Sequence, residues 1–138
     1  MKTSRIILVT VLIWLASTIT VWLTCGWLFN WVYTLPPMIW LSAEEMMTTT
    51  NMIGSNVVML VSGLLFVLVY SMIYKGLPYN GTVKGVVYGI LIWSITALGM
   101  ASMPFYMTVS KTVVIYWIIQ ALFIKIVTGA IVGKLCKK

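Results

Sequence analysis

The residues with the clearest chemical potential are polar side chains set inside long apolar runs. Lys125 lies in QALFIKIVTGAIVGK, residues 120–134, with Gln120 five residues before it, and Asn56 lies in an earlier apolar run. One cation and two amides could line a path for an anion or another polar solute. Side chains of these types also bond neighbouring helices together in lipid. Both interpretations are open at this point.

The two carboxylates of the chain, Glu44 and Glu45, are adjacent in the segment SAEEMMTTTN. Ser42 precedes them and is a good N-cap, and acidic residues are stabilising in the first turn of a helix. The same pair could gather cations or dock on a basic partner. A helix start is the favoured interpretation, because carboxylates are common at that position.

The remaining composition argues against catalysis and against a bound metal or cofactor. The chain has no histidine and only two acidic residues. A nucleophile–histidine pair is therefore impossible, and we expect no metal, haem or other cofactor site built by this chain alone. Cys25 and Cys136 fall near opposite ends of the predicted bundle, so we expect no disulfide between them.

The large share of apolar residues in the sequence indicates that these polar residues lie within membrane-spanning helices. Of the 138 residues, 62% are hydrophobic and 8% are charged, whereas a soluble domain carries about a quarter charged residues. A helix needs about 20 apolar residues to cross a bilayer, and four runs qualify: residues 6–29, 52–74, 85–103 and 112–133. Between and after them lie two outer loops, an inner loop and a basic tail: 30–51, 104–111, 75–84 and 134–138. The prediction is an all-α integral membrane protein, a single domain built as a four-transmembrane-helix bundle, whose first helix is an uncleaved anchor.

Positive charge predicts the orientation. Lys111 lies on the side of the two glutamates, whereas most basic residues lie on the side of both termini: Lys2, Arg5, Lys75, Lys84, Lys134, Lys137 and Lys138. The positive-inside rule therefore places the N and C termini in the cytoplasm. The net charge of +7 is dispersed along one membrane face, which favours contact with anionic lipid and not with nucleic acid.

Aromatic side chains form two predicted belts at the membrane surfaces. The outer belt contains Trp27, Trp31, Tyr33, Trp40, Tyr106, Tyr116 and Trp117, and the inner belt contains Tyr70, Tyr74, Tyr79 and Tyr88. We expect these rings at the level of the lipid headgroups.

Glycine pairs predict which helices lie closest together. The third span opens with GVVYG, Gly85 and Gly89, and the fourth closes with GAIVG, Gly129 and Gly133. Because these spans run antiparallel, both pairs lie near the inner face, and small residues at this spacing allow close backbone approach. The prediction is a tight hairpin of the third and fourth spans.

Lys125 raises the free energy of inserting the fourth span into a membrane. A central lysine costs about 2.5–3.5 kcal/mol on insertion scales, but the twelve Leu, Ile, Phe and Val residues of the fourth span return roughly 4–7 kcal/mol. Insertion therefore tolerates Lys125 without explaining it. Ala121, Lys125, Gly129 and Gly133 recur every four residues, which favours an inward side chain facing Ser or Asn, or facing an acid or phosphate from another molecule. The alternative is snorkelling toward the inner surface, about 13 Å away.

The stretch NVVMLVSGLLFVLVYSMIYKGLPYNGTVKGVVYGILIW, with its YKG turn and KGxxYGxxIW helix start, resembles a group of uncharacterised small prokaryotic inner-membrane proteins with four spans. The resemblance covers the middle third of the chain. It implies an inner (plasma) membrane location and a four-helix bundle, and it implies no activity.

The favoured function is a non-catalytic accessory or structural subunit of a larger membrane complex, with the lipid bilayer and other membrane subunits as its partners. Its small size, its glycine-rich helix faces and its ten methionines fit adaptable packing surfaces. The alternative is a small transporter or channel that self-associates, with a polar path involving Lys125, Gln120 and Asn56. A third hypothesis is an enzyme component that contacts lipid or quinone, in which Lys125 meets a headgroup or a carbonyl.

Overall fold

The computed structural model describes residues 3–136, and within that range the chain is helical and contains no β-strand. Four long helices and one short helix follow in order: α1 (Thr3–Leu23), α2 (Ala43–Met46), α3 (Thr49–Ile73), α4 (Gly81–Ser102) and α5 (Lys111–Leu135). A π-helical turn and three 3-10 segments extend or join them: Thr24–Leu28, Asn30–Thr34, Tyr74–Gly76 and Met103–Phe105. The four long helices are long and apolar enough to cross a membrane, which confirms the prediction of an all-α chain with four such helices. Lys2, Lys137 and Lys138 lie outside the described residues.

Several helices run past the boundaries drawn from hydropathy. α3 begins at Thr49, α4 begins at Gly81 and α5 ends at Leu135, because polar flanking residues continue the backbone hydrogen bonding that the apolar run begins. Cys136 N–H still donates to the Val132 carbonyl at 2.8 Å. Its side chain is 1% exposed, so Cys136 belongs to the packed bundle and not to the predicted tail.

The bundle has two ends, here called the termini end and the α2 end. The termini end holds the start of α1, the 74–81 connection and the end of α5, and the α2 end holds α2 and the 103–110 connection. Charge separates between them: Arg5, Lys75, Lys84 and Lys134 belong to the termini end. Lys111 belongs to the α2 end, with the two glutamates.

α4 and α5 form the closest helix pair, through the four glycines of their termini ends. A methyl group on Gly85 would overlap the Gly129 carbonyl oxygen, and one on Gly133 would lie 2.8 Å from the Gly85 Cα. A methyl group on Gly89 would overlap the Lys125 carbonyl oxygen. The two backbones therefore touch where the sequence places glycine on both helices.

α1 packs against α3 through a glycine that sequence reasoning did not single out. A methyl group on Gly63 would lie 3.4 Å from Ile13 Cγ2 and 3.6 Å from the Thr10 carbonyl oxygen. Farther toward the α2 end, Trp14 Nε1 donates to Asn56 Oδ1 at 3.1 Å. Gly63 thus leaves room for the α1 side chains to pack against α3, and the Trp14–Asn56 hydrogen bond adds a polar link between the two helices.

Tyrosines fill the core at the termini end. Tyr70 and Tyr88 are both 0% exposed, their ring centroids lie 5.2 Å apart, and Tyr88 Oη donates to the Phe66 carbonyl at 2.7 Å. Tyr70 and Tyr88 therefore face the inside of the bundle, whereas the predicted belt has its rings facing the lipid headgroups. Their helical positions face the α3–α4 contact, where burying an aromatic ring stabilises more than exposing it.

Candidate functional site

Lys125 lies beside the closest backbone contact of the bundle, and its side chain crosses toward α3. Its carbonyl oxygen faces Gly89 of α4, while its ammonium lies 4.9 Å from the centroid of the Phe66 ring. The ammonium is within range of a cation–π contact with that ring. Lys125 thus points into the bundle, near the middle of the helices.

A small cavity surrounds the Lys125 side chain. Its volume is about 120 Å³, and α1, α3 and α5 all contribute to its wall: Ile13, Ser17, Val58, Met59, Ser62, Gly63, Phe66, Lys125 and Thr128. Thr128 Oγ1 donates back to the Ile124 carbonyl at 2.8 Å. The cation therefore shares its cavity with serine hydroxyls, although within residues 3–136 its ammonium makes no hydrogen bond to a side chain.

Asn56 lies apart from this cavity. Its Oδ1 accepts from Trp14 Nε1, and its Nδ2 donates to the Met52 carbonyl at 2.8 Å. The amide joins α1 to α3, and no atom of Asn56 lines the wall around Lys125. Its observed role is helix association.

Gln120 belongs to a second polar group, at the α2 end. Its Nε2 donates to Thr24 Oγ1 and to Cys25 Sγ at 3.1 Å. Thr24 and Cys25 open the π-helical turn that ends α1. Turns of this type are rare and often occur at functional sites, but here the irregular turn is bonded to α5 by the Gln120 amide.

The Gln120 group continues into a set of aromatic rings that pack edge to face. Cys25 Sγ lies 3.2 Å from Tyr33 Oη, and Trp117 Nε1 donates to Tyr33 Oη at 2.9 Å. Trp40 stands edge-on to Tyr33 and Trp117, with centroid separations of 5.1 and 5.7 Å. Burial raises the pKa of the Tyr33 phenol above its usual range, and the contact with Cys25 raises it further. We call these residues, with Thr24 and Gln120, the α2-end cluster.

An open groove runs beside the α2-end cluster, between the end of α1 and the first half of α5. Its volume is about 710 Å³, and its wall is almost entirely apolar, including Leu28, Phe29, Ile119 and Phe123. Gln120 is among the few polar residues of that wall. A groove of this composition suits a hydrocarbon chain.

The two glutamates lie on α2 and are exposed. Glu45 accepts from Ser42 N–H and from the Ser42 hydroxyl, both at 2.8 Å, and Glu45 N–H donates to Ser42 Oγ at 3.2 Å. This reciprocal capping box is the helix start that the sequence predicts. These hydrogen bonds hold the pKa of Glu45 below its usual range.

The structure does not bring the candidate polar residues into one site. Lys125 lies in the small cavity, Gln120 in the α2-end cluster, Asn56 between α1 and α3, and the glutamates on α2. Within residues 3–136, no three His, Cys, Asp or Glu residues lie close enough to hold a metal ion. The described residues therefore hold helices together and present one cation to a cavity.

Sequence reasoning missed Phe66, Tyr33 and Gly63. Nothing in the sequence separates Phe66 and Gly63 from the other residues of their apolar run. Tyr33 was assigned to the outer aromatic belt. Ser62 carried a visible signal, since a hydroxyl in the middle of a span usually bonds to another helix.

No protein-family model, curated protein or solved structure matches this chain. The resemblance to small four-span inner-membrane proteins stays a prediction.

Proposed function

We propose that this chain is a non-catalytic accessory subunit of a larger membrane complex, inserted in a prokaryotic inner membrane with both termini in the cytoplasm. The length and apolar character of the four helices support insertion. The basic residues at the termini end support the orientation, since positive residues favour the cytoplasmic side.

The observation that carries the proposal is the incomplete packing of α3. This helix packs on α1 and meets α4 through Phe66, Tyr70 and Tyr88, but its backbone does not approach α4 or α5 as closely as those two approach each other. Facing outward on α3 are Val58, Val61 and Leu65, which are 64%, 50% and 55% exposed. We call these three residues, with the uncovered Gly54, the open face of α3.

The open face has the form of a helix-packing surface. Its residues are spaced by four, three and four along α3, which places them on one side of the helix. Gly54 has no atom within 4 Å of the position where a methyl group would be. In lipid, small residues on such a face favour approach by another helix backbone.

Methionines give the α2 end a second adaptable surface. Five of them are at least 46% exposed near this end: Met38, Met46, Met47, Met52 and Met107. Methionine adjusts its unbranched side chain to irregular neighbours. A partner that reaches beyond the membrane surface would meet these side chains first.

The test is extraction of native membranes in a gentle detergent, followed by native mass spectrometry. The proposal predicts that the chain migrates with other, larger membrane proteins in a fixed ratio. A monomer, or an assembly made only of this chain, would contradict it. A homo-oligomer would move support to the transporter hypothesis, which needs several copies to form a polar path.

A further inference from the structure

Lys125 presents its cation on the side of the bundle where α3 and α5 are not in close backbone contact. The cavity around it is lined by Val58, which is also part of the open face of α3, and by Ser62 in the next turn. Val58 is 64% exposed and Ser62 is exposed. The cavity therefore lies beside the open face, and a helix packed there would border the Lys125 side chain.

Two hydroxyls beside Lys125 have no hydrogen-bond partner among residues 3–136, Ser17 on α1 and Ser62 on α3. Some hydroxyls of the long helices donate to a carbonyl of their own helix, as Thr20, Ser94 and Thr128 do. Ser17 and Ser62 do not, although both line the cavity. Lysine supplies only donors, and a serine hydroxyl can donate one hydrogen bond. The Ser17 and Ser62 oxygens could also accept from the ammonium, but neither supplies the negative charge that normally pairs with a cation inside a membrane.

Within residues 3–136, no carboxylate lies near Lys125. The acids of this chain, Glu44 and Glu45, lie on α2, and Lys125 lies fourteen residues into α5, about 21 Å along the helix. A second copy would carry its acids at the same distant level. A lipid phosphate is also remote, because the Phe66 ring beside the ammonium lies seven residues, about 10 Å, before the end of α3.

We propose that Lys125, Ser17 and Ser62 receive a carboxylate from a transmembrane helix of another protein, which packs on the open face of α3. This inference rests on the proposed function and names the chemistry of the partner: a helix with one Asp or Glu near its centre. Charge complementarity carries the proposal. Charged groups within a membrane normally pair with one another, and a carboxylate accepts from an ammonium and from hydroxyls at once.

The first experiment uses a defined probe. The purified chain is reconstituted in vesicles with a synthetic leucine-rich helix that carries one central glutamate, or with its glutamine twin, and association is measured by energy transfer between dyes. We expect the glutamate helix to bind the wild type and Lys125→Arg. Binding to Lys125→Met should be about tenfold weaker. The glutamine helix should bind the wild type, Lys125→Arg and Lys125→Met equally.

The matched control is Lys134→Met, which removes a cation at the termini end and leaves the cavity unchanged. It should bind the glutamate helix as the wild type does. Helical circular dichroism of every variant checks that the bundle is folded. Equal binding of the glutamate helix to the wild type and Lys125→Met would overturn the inference, as would equal binding of both synthetic helices to the wild type.

The second experiment uses native membranes and dicyclohexylcarbodiimide, which enters the bilayer and activates buried carboxyl groups. The Lys125 amine would attack the activated carboxyl carbon to form an amide, and the carbodiimide would leave as its urea after taking up the elements of water. We expect mass spectrometry to find a cross-linked peptide at Lys125 in the wild type and none at Lys125→Arg.

The two proposals fail in different ways. A stable complex with larger membrane proteins, without a cross-link at Lys125 and unaffected by Lys125→Met, would leave the proposed function standing and overturn the carboxylate partner. The absence of any such complex would overturn both proposals.

Discussion

The indole N–H of Trp14 donates a 3.1 Å hydrogen bond to the side-chain oxygen of Asn56, and this bond joins α1 to α3. The Asn56 amide nitrogen donates to the Met52 carbonyl of its own helix, which fixes the direction of the side chain. The bond lies farther toward the α2 end than Gly63. It therefore holds α3 to α1 in the half of the bundle where the open face of α3 lies.

Replacement of Asn56 by Leu should weaken this contact. Hydrogen bonds between membrane helices contribute about 0.6 kcal/mol on average and at most about 1.7 kcal/mol, so we expect Asn56→Leu to lower the free energy of unfolding by that order. Steric trapping in bicelles measures it. Trp14→Phe should lower it in the same way, and the double variant should cost less than the two changes added together.

Ser55→Ala is the matched control for Asn56→Leu. The Ser55 hydroxyl donates only to the Met52 carbonyl of its own helix, so its loss should leave the free energy of unfolding nearly unchanged. If Trp14→Phe and Asn56→Leu prove strictly additive, the bond does not stabilise the bundle.

Gly85→Ala should destabilise the contact between α4 and α5. The added methyl group would overlap the Gly129 carbonyl oxygen, and backbone cannot move away as a flexible side chain can. Overpacking of this kind costs about 1–3 kcal/mol. Gly99→Ala on the same helix is the control, because no atom lies within 4 Å of its added methyl group. Equal unfolding free energies for the two variants would contradict the observed contact.

The capping box on α2 predicts a pH effect. Hydrogen bonds from the Ser42 backbone and hydroxyl lower the pKa of Glu45, so the carboxylate stabilises α2 above its ordinary pKa. That contribution disappears as the pH falls through the lowered pKa of the folded state. Ser42→Ala should raise the Glu45 pKa part of the way, since the backbone N–H remains, whereas Ser42→Thr should keep it low. A pH titration followed by the carbon-13 NMR signal of the carboxyl group measures the Glu45 pKa in both variants. An unchanged pKa in Ser42→Ala would contradict the capping geometry.

The proposed orientation predicts the results of reporter fusions. Fusions at positions 1, 80 and 138 should report the cytoplasm, and fusions near positions 45 and 108 should report the opposite side. The fusions at positions 1 and 138 test the orientation that the basic residues at the two termini predict. The fusion at position 80 tests on which side the connection between α3 and α4 lies. An external signal at position 80 would contradict the proposed arrangement of α3 and α4 across the membrane.

The four long helices could be predicted from the sequence, because span length depends only on the apolar run and the rise per residue. The glycine pairs Gly85–Gly89 and Gly129–Gly133 could also be singled out, since their spacing on antiparallel helices sets their depth. Tyr70 and Tyr88 could not be placed. A tyrosine near the end of a span suits the headgroup level and a helix contact equally, and only the rotation of the helix decides between them.

The candidate site was harder to predict than the fold. Lys125 stood out because a charge inside a span is costly, but Phe66, whose ring faces its ammonium, is one apolar residue among many on α3. Gln120 looked like a neighbour of Lys125 in sequence, yet five residues rotate it by more than a quarter turn around α5. Its bonds to Thr24 and Cys25 depend on an irregular turn for which hydropathy gives no signal.

The proposed role as a subunit requires that another membrane protein covers the open face of α3. Photo-cross-linking in native membranes tests this directly, with benzoylphenylalanine placed at Val58 on α3 or at Leu98 on α4. These residues are 64% and 74% exposed, so both probes are free to react. We predict that the Val58 probe cross-links to a distinct membrane protein and that the Leu98 probe captures lipid. Capture of lipid alone at Val58, or of only another copy of this chain, would contradict the proposed role as a subunit of a larger complex.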